Sequence, residues 1–297
     1  MTTPYQQPPQ PPQPPQSQAP QQAPQWQGDG LAAGYTSPIP VRRAHLGDAL
    51  ASEWTKLRSV RSTMWTLGVM IVLMLGVGLL TAVVVSSVSG QPAPSGQEVL
   101  SLGFFGVLLG SMCVITLGVL TIASEYGTGM IRTTLTACPS RGRVLVAKSL
   151  VFFLLVFVIS LVITMTVSAL QLSILGAESP SGADWLRATA GVSLYLATLG
   201  LLSLAVGTLI RHSAGAITIM IGVLLLPLVL AMFMFSDSLT AVREALFDYS
   251  VPSQLSAFYE SGSRVSGPSG WEPLWILLGV TAIAMLAAFF SLDKRDV

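Results

Sequence analysis

Charge is scarce in this chain. Asp, Glu, Lys and Arg make up 10% of its 297 residues, while 52% are hydrophobic; a soluble domain carries about 25% charged residues. So few polar groups cannot cover a globule in water, so lipid must be part of the solvent. The net charge of +1 leaves no bulk positive field for nucleic acid. Cysteine is nearly absent. Cys113 and Cys138 form neither a disulfide framework nor a CxxC or zinc pattern, and Cys113 reads as a small hydrophobe in an apolar run. His45 and His212 lack acidic or cysteine neighbours at metal-ligand spacing. No GxxxxGK[ST] phosphate loop is present, so the chain does not bind ATP in that manner. No Ser, His and acid arrangement suggests hydrolysis, and the chain is not expected to be an enzyme. No apolar run carries a charge near its centre, whereas ion-coupled carriers generally need ionisable or discontinuous midplane sites.

What is present falls into three parts: a tail over 1–45, an amphipathic helix over 46–62, and a six-helix membrane domain over 63–297. Pro and Gln dominate the tail (YQQPPQPPQPPQSQAPQQAPQWQ). Pro removes backbone donors and Gln offers nothing to bury, so the expectation is disorder with polyproline II character. The tail has no basic stretch followed by an apolar one, so it is not a secretory signal. It is either a solvated extension or a ligand for an aromatic groove.

In LGDALASEWTKLRSVRS, Leu46, Leu50, Trp54 and Leu57 share one helical face, and Asp48, Ser52, Thr55 and Lys56 the other. A helix lying in the membrane surface, with Trp54 at headgroup level and Arg58 and Arg61 at its end, fits this pattern. Glu53 falls inside the apolar face and needs a partner. Two are open: Lys56 at i+3, or an arginine of the polar insert between the second and third apolar runs.

Six apolar runs follow, near 65–86, 99–123, 144–175, 188–210, 214–235 and 272–292. Each reaches the ~20 residues that a spanning helix needs. Pro227 is expected to kink the fifth. Gly106 and Gly110, with Gly103 one turn earlier, offer a small face for close helix approach. With the N-terminus in the cytoplasm, twelve of the fifteen Lys and Arg residues lie inside and only Arg187, Arg243 and Arg264 outside. The positive-inside rule then puts both termini in the cytoplasm. The last outer segment, 236–271, has helical spacing in Leu239, Val242, Leu246 and Phe247, followed by a loop rich in Ser and Gly.

The densest polar insert is SEYGTGMIRTTLTACPSRGRVLVAK, residues 124–148. Tyr126, Met130 and Leu135 can share one side of a short helix. Gly127 and Gly129 allow a tight exit from the second span, and Pro139 stops the helix before the third. Arg132, Arg141 and Arg143 face the cytoplasm, where a short helix held between two spans is well placed to receive a push. Topology alone accounts for arginines here; it does not account for the acid Glu125.

Residues 125–148 match the pattern E-Y-x-x-G-x-I-R-x-T-L-x-x-x-P-x-R-x-x-V-L-x-A-K, which resembles the membrane subunits of ABC-2 type transporters, with Glu125, Tyr126, Gly129, Ile131, Arg132, Thr134, Leu135, Pro139, Arg141, Val144, Leu145, Ala147 and Lys148 in place. EWTKLRSVRSTMWTL (53–67) is similar to the interfacial helix and first span of the same permeases, particularly actinobacterial ones, and FFSLDKRDV to their closing basic tail. The resemblance covers about 46–297. It implies an all-α integral membrane protein with six spans after an interfacial helix, the type V exporter-like architecture. It further implies a permease dimer, with a second copy or a paralogue, in a bacterial plasma membrane. The ATPase subunits would be separate cytoplasmic chains that bind ATP and Mg; this chain would bind no cofactor or metal. Residues 124–143, with Glu125, Tyr126, Gly127, Gly129, Arg132, Pro139 and Arg141, would couple to the ATPase. Arg132 would contact it or brace Glu125 or Glu53, and the interfacial helix with Glu53, Trp54, Lys56 and Arg58 would be a second contact. Two rival readings are a secondary transporter and a non-transporting scaffold or sensor that recruits partners through its tail.

Overall fold

A computed structural model of the protein describes residues 45–88, 94–137, 140–260 and 266–294. The tail up to residue 44 and Pro139 lie outside them. Every regular element among the described residues is helical. Helix α1 (Leu46–Ser59) ends where Val60 turns extended, and α2 (Arg61–Ser87) follows at once. The interfacial helix is therefore shorter than 46–62, and Arg61 opens the first long helix.

The second long run is α3 (Gly96–Ser101) and α4 (Phe104–Thr128), stepped at Leu102–Gly103. It continues five residues past the apolar run and carries Glu125 and Tyr126 inside the helix. After α5 (Met130–Ala137) comes α6 (Arg141–Leu175). At 1.5 Å per residue α6 is about 52 Å long, longer than the ~30 Å hydrocarbon layer. Helix α7 (Gly182–Leu186), a π-helical turn (Arg187–Gly191) and α8 (Val192–Ile210) run on as one rod. Helix α9 (Ser213–Phe233) contains Pro227 without interruption, and α10 (Thr240–Asp248), α11 (Val251–Ser256) and α12 (Glu272–Lys294) complete the chain. Among the described residues six helices are long and apolar enough to cross a membrane: Arg61–Ser87, Gly96–Thr128, Arg141–Leu175, Gly182–Ile210, Ser213–Phe233 and Glu272–Lys294.

Helix α8 forms the middle of the bundle, packed by α4, α6, α9 and α12. Its most apolar stretch is 72% buried, against 22% for α2, α9 and α12. Close approach explains the glycines at the crossings. A Cβ on Gly118 would fall 2.4 Å from the carbonyl oxygen of Gly200 on α8, and one on Gly106 would fall 2.8 Å from that of Met74 on α2. The small face predicted on α4 thus receives α2. The outer helices turn Trp65, Phe233 and Ile283 outward, an apolar surface suited to lipid and not to water.

At the bundle end opposite α1, α10 lies on α9 with Leu239, Val242 and Phe247 exposed. Residues 251–259, between the stretch of helical spacing and the loop rich in Ser and Gly, form α11 and a 3-10 turn (Ala257–Tyr259) sunk into the bundle, with Leu255 and Phe258 fully buried. Serines make this possible. Ser250 accepts from the N–H of Ser253 at the helix start, and Gln254 accepts from Tyr195 Oη at 3.1 Å and donates to the Tyr249 carbonyl at 2.9 Å. Phe258 packs edge-on against Tyr195 and Trp271.

Candidate functional site

Two carboxylates and two ammonium groups meet inside the opposite end of the bundle. Helix α1 rests on α6, with Leu57 and Glu53 buried, while Trp54 stays half exposed. Glu125 is buried near the C-terminal end of α4, three residues after Ile122 on the inward face. Lys148 lies on the buried stripe of α6 with Val144, Leu145, Val151 and Phe152. Lys148 Nζ donates to Glu53 Oε2 at 2.5 Å and to Glu125 Oε1 at 2.8 Å. Lys56 Nζ donates to Glu53 Oε1 at 2.8 Å, to Glu125 Oε1 at 3.2 Å and to Thr134 Oγ1 of α5 at 3.1 Å.

The donor count closes almost completely. All three protons of Lys56 have acceptors, both oxygens of Glu53 are bonded, and Glu125 Oε1 takes two donors. Two places stay open among the described residues: Lys148 has two acceptors for its three protons, and Glu125 Oε2 is buried without a partner. With formal charges of two plus and two minus the cluster is neutral. Burial by itself lowers the pKa of Lys56; the hydrogen bond to Glu53 and the charges of Glu125 and Glu53 outweigh it, so the ammonium titrates above its ordinary value. The cluster ties α1, α4, α5 and α6 together at one point.

The local chain geometry accounts for this meeting. Gly129 adopts φ +72° at the end of α4, a left-handed conformation that costs other residues about 1–2 kcal/mol. It reverses the chain so that α5 folds back with Ile131 buried and Thr134 and Leu135 half-buried.

Several expected site residues fall elsewhere. Glu53 pairs with Lys56, as one of its two open readings had it, and its partner from the insert is Lys148, not an arginine. Arg132 is exposed and makes no ion pair with Glu125 or Glu53 among the described residues. It follows the buried Ile131 by one position, which turns it about 100° away from the inward face. Met130 is exposed too, so the inward side of α5 is Ile131, Thr134 and Leu135, not Tyr126, Met130 and Leu135. Tyr126 belongs to α4, and the Arg211 guanidinium lies 5.1 Å from the centre of its ring. Gly127 sits within α4 in open space, so Gly129 alone makes the exit turn. Arg141 is half-buried; its Nη1 donates to the Leu292 carbonyl at 2.5 Å and caps the end of α12. Arg58 is exposed.

Lys148 and Thr134 carry the cluster without having been singled out for it. The signal for Lys148 was the one that exposed Glu53: a charge at a position where its helix is otherwise apolar. Among the described residues no group of His, Cys, Asp or Glu is arranged to hold a metal ion. The site carries no nucleophile with an adjacent base. Chemically it is a neutral, buried clamp, suited to fixing helices or to transmitting displacement. In comparisons with known proteins, no family model matches the chain and no curated protein matches it.

Proposed function

We propose that this chain is the membrane-spanning permease subunit of an ABC exporter of the ABC-2 type, working as a dimer and driven by separate cytoplasmic ATPase subunits. The observation that carries the reading is the link from α5 into the membrane domain. Thr134 of α5 accepts from Lys56, which shares Glu53 and Glu125 with the buried Lys148. A displacement of α5 therefore bears at once on α4 and α6, which belong to long apolar helices, and on α1, which leads into another. Breaking such a buried ion pair costs about 3–5 kcal/mol, so the clamp moves as a unit. The outward side of α5, with Met130, Arg132 and Thr133 exposed, is the surface an ATPase would push. ATP binding and hydrolysis in the partner chains would drive that push and tilt the spans between inward- and outward-facing states.

Lysine and arginine bias supports a cytoplasmic position for this end of the bundle. The buried charges lie near a helix end and hold one another, a poor arrangement for the midplane ion site of a secondary transporter.

Arg132→Ala tests the reading. The variant should insert and fold as the parent does, because Arg132 is exposed, and should lower the ATPase activity stimulated by assembly several-fold. Unchanged ATPase binding, stimulation and transport would remove α5 from any coupling role.

A further inference from the structure

At the bundle end away from the charge cluster, α12 begins beside an open cavity of about 430 Å³. Its volume falls within the ~300–1,000 Å³ typical of small-molecule sites. Tyr249, Gly267, Pro268, Glu272, Trp275 and Ile276 line it. Glu272, Trp275 and Ile276 belong to the first turns of α12, at the i, i+3 and i+4 spacing that brings side chains onto one face. Tyr249, just past the end of α10, supplies a second aromatic wall. Both rings are open to a ligand: Tyr249 is 57% and Trp275 70% exposed.

Among the described residues that line or back the cavity, the charge has one sign. Glu272 Oε2 accepts from the backbone N–H of Ser269 at 2.9 Å, and its other oxygen has no partner among the described residues. Gly267 has φ +85°, and a Cβ there would fall 2.9 Å from Asp248 Cβ and Cγ and 3.2 Å from its Oδ1. The Asp248 carboxylate thus stands directly behind the cavity wall, and no ion pair engages it among the described residues. Arg187 is near this end of the bundle but is held by Asp184. Two electron-rich ring faces with two carboxylates beside them favour a weakly hydrated organic cation, and Ile276, Pro268 and the apolar flank of α12 favour an apolar body attached to it.

We infer that this cavity binds a quaternary or bulky primary ammonium group, the cation held by Tyr249, Trp275 and Glu272 with Asp248 adding to the field. The inference is independent of the transport reading, since it needs neither an ATPase nor a direction of transport.

The test uses the purified full chain in a detergent without ammonium groups, titrated calorimetrically with benzyltrimethylammonium and, separately, with its uncharged carbon isostere neopentylbenzene. Saturable binding of the cation and none of the isostere is expected. Glu272→Gln and Trp275→Leu should each weaken it by about three- to tenfold, and Trp275→Phe should restore most of the loss. Trp275 and Glu272 are exposed, and an unchanged elution volume confirms that each variant is folded. No saturable binding, equal binding of the isostere, or affinity unmoved by both Glu272→Gln and Trp275→Leu would overturn the inference. Repeating the titration in phosphatidylcholine and phosphatidylglycerol nanodiscs separates the sources of the cation. Competition by choline lipid alone assigns the site to a headgroup, and no competition assigns it to a free amphipath.

Discussion

At the scale of single residues, Lys148 decides the most. It is the one fully buried cation that bridges both carboxylates of the cluster. Lys148→Met leaves two buried acids sharing one ammonium, and should destabilise the protein by about 3–5 kcal/mol, read by thermal unfolding in detergent. Adding Glu53→Leu to that variant restores neutrality, leaving the Lys56–Glu125 pair intact. The double variant should therefore be more stable than Lys148→Met alone; a double variant equally or more unstable would mean that the charges act separately. The pH response follows from Lys56. Its pKa is raised in the folded state, so its stabilising contribution is fully present below the unfolded value of about 10.4 and is lost as pH rises through the higher folded value. An unfolding series at alkaline pH should show that loss in the parent and not in Lys56→Met. The anomaly of Glu53 was legible in the sequence, because a carboxylate on an apolar face has to be paired. Its partner was not. Helical periodicity places a residue on a face of its own helix and says nothing of which neighbouring helix supplies the counter-charge. Arginines drew the reading because they are dense in the insert, yet a long cation one position off the inward face, like Arg132, points to solvent.

At the scale of elements, the turn from α4 into α5 rests on Gly129. Gly129→Ala forces an alanine into the left-handed region and should cost about 1–2 kcal/mol. Gly127→Ala, inside α4 with nothing within 4 Å of the added carbon, should be neutral or stabilising by up to about 1 kcal/mol. The two unfolding midpoints distinguish a turn made by Gly129 from one shared by both glycines. The long helices were plain in the sequence because a run of ~20 apolar residues has few other uses. Their polar ends were not. Glu125 and Tyr126 continue α4 because the helix ends only where a residue can take positive φ. The buried α11 was missed for a related reason. Ser250, Ser253 and Ser256 look like loop residues, but their hydroxyls satisfy one another and the local backbone, which lets VPSQLSAFY enter an apolar core.

At the scale of the whole molecule, the six long helices, the central α8 and the lipid-suited outer faces form a membrane domain with a different chemistry at each end. One end carries a neutral, buried clamp joined to a short exposed helix, the other a sunken plug and an aromatic, acidic cavity. The clamp end gives the functional account its content: a helix that can be pushed from outside the bundle, and a rigid connection from it to the spans. The most direct measurement is a pull-down of the chain, tagged at its C-terminus, from native membranes in gentle detergent, with the partners identified and quantified by mass. The account predicts a cytoplasmic ATPase in stoichiometric amount, which crosslinks to a reactive group placed at Arg132. Recovery of the chain alone or only with copies of itself, with no ATPase across several detergents and no crosslink from position 132, would contradict it.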